Sequence, residues 1–355
     1  MKSGLKWSLT AGAVLVVSGA IGALSVVGSL GGFDSVADNT AASCTRISGM
    51  PGAEDIEPDY ATGFAYVSSD DRWAYASGDD RAGAIYRINM NEYAEAKPVT
   101  MSGTQGLDRF HPHGVSFYQD DGRKLLFVIS HRVPEIPAEG HDIYVFEIQG
   151  THLALVETLS DPGFRSPNDL VAVGARQFYF TNDRQNLEED GALGEVLFGL
   201  AVSDIAYFDG EASRVVADGL AFANGIQTSP AGDLIYATAY RGGTTLVYRR
   251  DKTEETLALV RVIETGSGPD NITIDEGGDV WVMAHVNTLA TVAHAGDPNA
   301  LAPARVYRIE PGATTAETVY ENDGSTISAA SVSVPYQNWL FMGAIYQDGV
   351  VACEM

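Results

Sequence analysis

Six hairpin-like units recur along the chain at similar intervals, and this repeat limits the fold more than any other feature. The units begin near Gly63, Gly114, Asp169, Gly225, Asn271 and Ala330. Each contains a first strand, a polar turn and a second, more apolar strand, and most units add a third strand. Repeats of about 40–50 residues with four strands each are typical of propeller blades. The sequence therefore predicts an all-β, six-bladed β-propeller; a β-sandwich, the alternative, does not explain six regular repeats.

The N-terminal part of the chain differs in character from the repeats. Lys2 and Lys6 precede an uncharged, largely apolar run at residues 7–33. A signal-peptide core has about 7–15 apolar residues and a spanning helix about 20, so this run is long enough to span a membrane. Residues 1–33 are predicted to form a hydrophobic helix, either a signal peptide or an N-terminal membrane anchor. Residues 34–43 are expected to be a linker and residues 44–355 the propeller domain, exported to the periplasm or the extracellular space.

The chain has two cysteines, Cys44 and Cys353, at the start and the end of the propeller region. Two free thiols would be unusual in an exported protein. One disulfide bond joining the two ends is therefore expected, and it would reinforce the point at which a ring of blades closes.

Acidic side chains outnumber basic ones by 47 to 22, which gives a net charge of −25. Nucleic-acid phosphates need a basic surface, so this balance argues against nucleic acid as a partner. An acidic chain suits cation binding and solubility instead.

Polar residues stand just before the strands that would line the central channel of a propeller, where they would share one mouth. Those that would supply oxygen atoms there are Glu54, Asn168, Asn224, Asp270 and Asn271. Hard oxygen ligands without cysteine or a histidine cluster select calcium over zinc. Asp55 and Asp169 would point the other way along their strands, towards a second, structural ion or into turn and cap hydrogen bonds.

Two histidines mark the two ends of the hairpin in the second unit, which turns at Asp120-Asp121-Gly122. Neighbouring strands of a hairpin lie side by side, so His113 and His131 would face each other at one mouth of the sheet. Two imidazoles there would make an acid/base pair; two unrelated surface histidines are the alternative.

Several short motifs occur together between Cys44 and Cys353. They are Glu54-Asp55, Phe110-His111-Pro112-His113-Gly114, Ser130-His131, Asn168-Asp169-Leu170-Val171-Ala172-Val173-Gly174, Thr181-Asn182-Asp183, Phe222-Ala223-Asn224-Gly225-Ile226, Asp270-Asn271-Ile272, His285 and Cys353-Glu354. Through these motifs the chain resembles the paraoxonase/arylesterase family of calcium-dependent lactonases and is identified as a bacterial member.

The resemblance implies a propeller with two calcium ions in its channel. It assigns the catalytic ion to Glu54, Asn168, Asn224, Asp270 and Asn271, and the structural ion to Asp55, Asp169 and the backbone carbonyl of Val115. It makes His113 and His131 a catalytic dyad. It assigns four residues to the substrate pocket: Phe222 and His285 in its wall, Asp183 near the dyad, and Trp73 where the family has a tyrosine. The loop around Trp73 is more charged and shorter than in the family, which bears on the substrate range rather than on the chemistry.

The implied activity is that of an arylesterase or lactonase acting on a small-molecule ester or lactone, without a covalent intermediate. Calcium would stabilise the oxyanion, while His113, helped by His131, would take a proton from the attacking water. The alternatives are a gluconolactonase-like or strictosidine-synthase-like propeller enzyme and a non-catalytic, calcium-stabilised binding propeller. Membrane association through residues 7–33 and an amphipathic helix at residues 186–203 is a further option; that helix would otherwise be a lid or pack on its own blade.

Overall fold

The structure is a computed structural model that describes residues 24–36, 43–79, 81–107, 109–131, 141–187, 189–266 and 268–355. Within these residues the chain forms six four-stranded antiparallel sheets. The innermost strand of each sheet packs against the innermost strands of both neighbouring sheets, so that they surround a central channel. The predicted all-β, six-bladed β-propeller is therefore confirmed.

The strands are numbered in chain order, and each blade is given from its innermost strand outwards. The first blade has β2 (Ala53–Asp59), β3 (Phe64–Ser69), β4 (Ala84–Asn89) and β5 (Val99–Thr100), and the second has β6 (Pro112–Asp120), β7 (Arg123–Ser130), β8 (Asp142–Gln149) and β9 (His152–Ser160). The third blade has β10 (Pro167–Ala172), β11 (Phe178–Asn182), β12 (Ser203–Phe208) and β13 (Ser213–Leu220), and the fourth has β14 (Ala223–Thr228), β15 (Leu234–Ala239), β16 (Thr244–Asp251) and β17 (Thr256–Glu264). The fifth blade has β18 (Pro269–Ile274), β19 (Val280–His285), β20 (Ala304–Ile309) and β21 (Glu317–Asn322), and the sixth has β22 (Ala330–Tyr336), β23 (Trp339–Ala344), β24 (Asp348–Glu354) and β1 (Cys44–Pro51).

The first blade differs from the sequence prediction in one respect. The prediction began its first unit near Gly63, but Phe64–Ser69 is the second strand of that blade. The innermost strand is Ala53–Asp59, and it contains Glu54 and Asp55. The prediction missed it because Glu54, Asp55, Glu57 and Asp59 interrupt the apolar pattern that marks the other innermost strands.

All six innermost strands share an irregularity close to their first residues. The pairing register with the second strand shifts between Ala53/Asp55, Pro112/Val115, Pro167/Leu170, Ala223/Ile226, Pro269/Ile272 and Ala330/Val332. A β-bulge leaves the extra residues unpaired and redirects their side chains. The bulges therefore release side chains at one end of the channel, in every blade.

Two glycines in these bulges let neighbouring innermost strands approach closely. A Cβ atom on Gly114 would lie 2.7 Å from the carbonyl oxygen of Asn168, and one on Gly225 would lie 2.7 Å from the Cα atom of Asn271. Real Cβ atoms do not approach backbone atoms so closely, so a larger residue at either position would push two blades apart.

Apolar side chains fill the spaces between adjacent blades. In one such cluster Phe127 and Ile143 of the second blade pack against Phe178 and Phe180 of the third, all fully buried. Burying a side chain of this size contributes about 1.5–3 kcal/mol. This packing makes the ring of blades a stiff support for the residues at the channel.

Helical segments lie outside the sheets: α1 at residues 24–29, α2 (Arg72–Ala76), a 3-10 segment (Met90–Glu95), α3 (Glu189–Phe198) and α4 (Thr288–Gly296). Since α2, α3 and α4 follow the second strands of their blades, they lie at the end of the channel where the innermost strands begin. Arg241 joins α1 to α3. Its guanidinium donates hydrogen bonds to the carbonyl oxygens of Ser29, at 2.6 Å, and Val196, at 2.7 Å.

The predicted helix at residues 186–203 is present as α3, but its apolar side chains do not all face the protein. Val196 lines a cavity, whereas Leu193 and Phe198 are exposed. Residues 1–23 and 37–42, which carry most of the predicted N-terminal helix and of the linker, lie outside the described residues. Among the helices that are described, none combines the length and the apolar character that crossing a membrane requires.

The sixth blade closes the ring. Strand β1 pairs with β24, with Cys44 opposite Cys353, and the two residues form a disulfide bond. The predicted bond is confirmed. It joins residues 309 positions apart, so it holds the N-terminal strand to the C-terminal one.

We predict that the double variant Cys44→Ser/Cys353→Ser is less stable than the wild type, by roughly 6 kcal/mol on the chain-entropy model because the closed loop is long. Chemical denaturation would measure the difference, and the wild type under reducing conditions should match the variant. Thiol titration of the unreduced wild type should find no free thiol. Equal stability would mean that the pairing of β1 with β24 alone closes the ring.

Candidate active site and metal centre

Side chains from several bulges meet in one cavity at the mouth of the channel, here called the channel-mouth cavity. It has a volume of about 210 Å³. The residues that form its polar end are Glu54, His113, Asn168, Asn224 and Asp270. Asn271 joins them, because its side-chain amide donates a hydrogen bond of 3.1 Å to Oε1 of Glu54. The structure thus brings together the five residues that the sequence assigned to a catalytic ion.

Three of these oxygens have no hydrogen-bond partner among the described residues. They are Oε2 of Glu54, Oδ1 of Asn168 and Oδ1 of Asn224, and all three are buried. Leaving a buried polar atom unpaired costs about 1–3 kcal/mol. Because all three are acceptors, a cation would satisfy them together. This donor set, of hard oxygens only, fits calcium.

The charges in this cavity also favour a cation. Burial raises the pKa of Glu54, an effect that Arg72 and the amide of Asn271 partly offset. Burial, and then the negative charge of Glu54, raise the pKa of Asp270 well above its ordinary value. No group of three or more His, Cys, Asp or Glu side chains in the described part of the chain could hold a metal ion by itself. The amide oxygens are therefore essential to the predicted site.

The backbone of these residues is fixed by hydroxyl groups from neighbouring blades. Thr181 donates to the carbonyl oxygen of Asn224 at 2.5 Å, and Thr238 donates to that of Asp270 at 2.7 Å. In the same way Ser331 donates to the carbonyl oxygen of Glu54 at 2.5 Å. Sequence reasoning named Thr181 within a family motif without giving it a role, and it did not identify Thr238 or Ser331, because an isolated Ser or Thr in a strand carries no signal of its own.

Asp55 and Asp169, assigned to a second ion, have a different environment. Oδ2 of Asp55 accepts a hydrogen bond from the backbone N–H of Val115, and Oδ2 of Asp169 accepts one from Ile226, each at 2.8 Å. Their other carboxylate oxygens accept from the N–H of the next residue. Burial and neighbouring carboxylates raise the pKa of both. The hydrogen bonds that the sequence analysis gave as the alternative to a second ion are thus present. The structural ion stays a prediction.

His113 and His131 face each other, as the hairpin predicted. Their rings stack with centroids 4.5 Å apart and an interplanar angle of 29°. Nε2 of His131 donates to the carbonyl oxygen of Pro167 at 2.8 Å, so its neutral ring has the lone pair on Nδ1. Burial lowers the pKa of both imidazoles, with Arg72 adding to the effect on His113 and His113 to that on His131. Both rings are therefore neutral.

Arg72 contacts the dyad directly and was missed by sequence reasoning. Its Nη2 lies 2.6 Å from Nδ1 of His113, which in turn lies 3.6 Å from Oε2 of Glu54. A guanidinium can only donate, so Nδ1 of His113 accepts and the proton of the neutral ring is on Nε2. Nε2 is buried and has no hydrogen-bond partner among the described residues. The only signal in the sequence was a basic residue in an otherwise acidic loop.

The remaining wall of the channel-mouth cavity is largely apolar and includes two predicted pocket residues, Phe222 and His285. The Phe222 ring lies 5.4 Å from that of Tyr240, whose hydroxyl is 3.0 Å from Nδ1 of His285. Burial lowers the pKa of His285 to about 4. Phe222 has a φ of 60°, a conformation that is uncommon for a bulky residue and often found at functional sites.

Helices complete this wall. Val196 of α3 and Thr288, Thr291 and Val292 of α4 line the cavity opposite the oxygens. Sequence analysis did not predict α4, which also contains His294. His294 lies buried in this helix and its Nδ1 is 2.6 Å from the carbonyl oxygen of Ala300.

Two predicted pocket residues lie outside this wall. The Trp73 ring stacks on Tyr346 at 5.6 Å, and its indole N–H donates to the carbonyl oxygen of Ala295 at 3.1 Å. Trp73 therefore fastens α2 to the end of α4. Asp183 accepts a hydrogen bond from the hydroxyl of Ser166. Their assignment to a substrate pocket stays a prediction, and the structure gives Trp73 a packing role.

A family model described as Arylesterase matches residues 35–355. The chain is 30% identical over 324 residues to serum paraoxonase/arylesterase 2 of Rattus norvegicus, with 88% of each chain covered. It is 29% identical over 322 residues to serum paraoxonase/arylesterase 1 of Homo sapiens, with the same coverage. Serum paraoxonase/lactonase 3 of Homo sapiens is 26% identical over 310 residues, with 86% of each chain covered.

Solved structures resemble the whole propeller at low sequence identity. A gluconolactonase from Xanthomonas campestris superposes with a TM-score of 0.55 at 14% identity, covering 90% of this chain and 91% of that chain. A luciferin-regenerating enzyme gives a TM-score of 0.54 at 13% identity, covering 89% and 96%. At such identities the likeness supports the fold alone.

We predict that calcium raises the Tm of the wild type and that Asp270→Asn removes much of this increase, because one of two charged side chains is lost. A ligand that binds only the native state stabilises it by about 2.7 kcal/mol at a hundredfold excess over Kd. Thermal melts in chelator and in calcium chloride would measure the effect.

Asp279→Asn is the matched control for this experiment. Asp279 immediately precedes β19 of the same blade and pairs with Arg308, away from the cavity. This variant should retain the full calcium-dependent increase in Tm. A wild type whose Tm does not respond to calcium would contradict the assignment of the five oxygens to a calcium site.

Proposed function

Because the chain belongs to the arylesterase family, we propose that it hydrolyses carboxylic esters and lactones with a calcium ion in its channel. One observation supports this above the others: three buried oxygens without partners lie at the polar end of an apolar cavity. Neutral histidines stand beside them. A hydrolytic site of this class needs an electrophilic centre, a base and an apolar space for the substrate. The oxygens would hold the first, His113 would be the second, and the apolar wall would form the third.

Glu54, Asn168, Asn224, Asp270 and Asn271 would hold the ion. Calcium takes about six to eight oxygen ligands, so five side chains leave room for an oxygen of the substrate. When bound, calcium supplies Lewis-acid chemistry that polarises an ester carbonyl and stabilises the negative charge developing on its oxygen. The propeller contributes the geometry, since the five residues come from four different blades whose relative positions are fixed.

His113 is the residue best placed to accept a proton from a water molecule that attacks the carbonyl. Its Nδ1 is 3.6 Å from Oε2 of Glu54, so this edge of the ring is directed at the oxygen set. Burial keeps the ring neutral, as a base must be. The lone pair on Nδ1 is engaged by Arg72 at 2.6 Å. The base therefore acts once the guanidinium has turned to another acceptor.

His131 supports His113 from one side. The hydrogen bond from its Nε2 to Pro167 fixes the orientation of its ring, and the ring stacks on that of His113. No hydrogen bond joins the two imidazoles in the described structure, and stacked rings are poorly oriented for direct proton transfer. His131 therefore positions His113.

The apolar wall indicates which part of the substrate enters the cavity. Phe222, Val196, Val292 and Ile345 would contact an apolar acyl or ring moiety and exclude water from the reacting ester. A volume of about 210 Å³ admits a small substrate. The substrate is thus a small-molecule ester or lactone. Side chains from α3 and α4 would determine which of these molecules fits the cavity.

The remaining parts of the proposal concern the rest of the chain. Residues 1–33 would direct export, with residues 34–43 linking them to the propeller at residues 44–355. The disulfide bond supports an oxidising compartment. Asp55, Asp169 and the carbonyl of Val115 would hold a structural ion in addition to their hydrogen bonds.

We predict that His113→Gln reduces kcat/KM for phenyl acetate or a lactone by about 10²–10⁴-fold, the usual contribution of a general base. The calcium-dependent rise in Tm should persist, because His113 is not assigned to the ion. His152→Gln is the control: His152 is an exposed residue of β9 and should leave the rate unchanged.

Two outcomes would contradict the proposal in different ways. If His113→Gln hydrolyses the ester at the wild-type rate, another group is the base, and a carboxylate such as Glu54 is the next candidate. If the wild type binds calcium but hydrolyses neither esters nor lactones, the propeller is a calcium-stabilised binding protein.

A further inference from the structure

Arg72 differs from the other arginines of the described residues in its contact with the histidine pair. Eight arginines form ion pairs with carboxylates, whereas others, such as Arg87 and Arg261, donate to carbonyl oxygens. Arg72 has no carboxylate within ion-pair distance among the described residues. Its guanidinium donates to the carbonyl oxygen of Ile345 at 3.0 Å and to His113 at 2.6 Å. Since a guanidinium has five N–H groups, most of its donors remain unused.

Arg72 also lines a second cavity, here called the side cavity, of about 310 Å³. It is lined by Asp70, Arg72, Tyr75, His111, His131 and Tyr346. The side cavity and the channel-mouth cavity are neighbours, because the stacked pair of His113 and His131 contributes one residue to each. Arg72 lies at the boundary of the two cavities, since it lines the side cavity and contacts His113 of the channel-mouth cavity.

The carboxylate in the side cavity does not neutralise Arg72. Both oxygens of Asp70 lie 3.2 Å from Nδ1 of His111, so this carboxylate is engaged by the buried imidazole. With calcium bound, its two charges would balance those of Glu54 and Asp270, and Asp70 would be the remaining carboxylate beside Arg72 in the side cavity. Because Asp70 is held by His111, a guanidinium with free donors can still accept a second anionic partner.

We propose that Arg72 and the side cavity bind a carboxylate or a similar anionic group of the substrate, so that the enzyme favours esters and lactones that carry such a group. This inference rests on the proposed function and specifies its substrate class. It also accounts for the contact between Arg72 and the base: when the guanidinium turns to the anionic group, Nδ1 of His113 becomes free to accept a proton. The carboxylate product would bind to the same guanidinium.

A matched pair of substrates tests the inference. 4-Acetoxybenzoate carries a carboxylate where 4-acetoxybenzamide, of similar shape, carries a neutral amide. We expect Arg72→Gln to lower the ratio of kcat/KM for the anionic ester to that for the neutral ester by about 10–100-fold, the usual effect of losing a hydrogen bond between charged groups. Arg72→Lys keeps the charge and should retain part of the preference. Arg81→Gln, in an exposed part of the same loop, should leave the ratio unchanged.

Binding of the products gives a readout that does not depend on turnover. Calorimetry on the calcium-loaded wild type should show tighter binding of 4-hydroxybenzoate than of 4-hydroxybenzamide, and Arg72→Gln should abolish the difference. Equal binding of both by the wild type would overturn the proposal without any variant. If Arg72→Gln slows both esters equally, Arg72 only positions His113. If the wild type selects the carboxylate but hydrolyses neither ester, the anion site stands and the proposed hydrolysis fails.

Discussion

The structure depends on how the protein compensates negative charge that is buried at the centre of a ring. Glu54, Asp55, Asp169 and Asp270 are all buried near the channel; burial raises the pKa of all four, and the charge of Glu54 adds to the rise in the other three. Moving a carboxylate out of water costs several kcal/mol unless it is paired. Asp55 and Asp169 are compensated by backbone N–H groups, whereas Glu54 and Asp270 share their cavity with unpaired amide oxygens. The proposed calcium ion would compensate the second pair.

The bulges explain how a repeating fold produces a site that does not repeat. Each innermost strand has a register shift at the same place, but the residue released there differs from blade to blade. Asn168 and Asn224 supply oxygens, whereas the second blade supplies His113 instead. Thr181 and Thr238 then fix the backbone of the following blade. Strand β1 and the disulfide bond close the ring. The two ends of the chain therefore help to fix the positions of the site residues, although neither end lies in the site.

The sequence predicted those features that local pattern or residue type determines. The blade repeat, the closing disulfide bond and the convergence of Glu54, Asn168, Asn224, Asp270 and Asn271 were all accessible, because each blade places its first residues at one mouth. Arg72, Tyr240 and α4 were not accessible. Their positions depend on how loops fold over the mouth, which strand periodicity does not encode. Trp73 illustrates this limit: its place in the chain suggested a pocket wall, but its contacts with Tyr346 and Ala295 make it a fastening between α2 and α4.

Arg72 links the histidines to the buried carboxylates electrostatically. It contacts the same Nδ1 of His113 that faces Glu54, and its charge partly offsets the rise that burial causes in the pKa of Glu54. Burial and this guanidinium also lower the pKa of His113, since both disfavour a second positive charge. In a chain with a net charge of −25, an anionic ligand is repelled by the molecule as a whole. The proposed preference for anionic substrates therefore requires a local attraction by Arg72 that exceeds this repulsion.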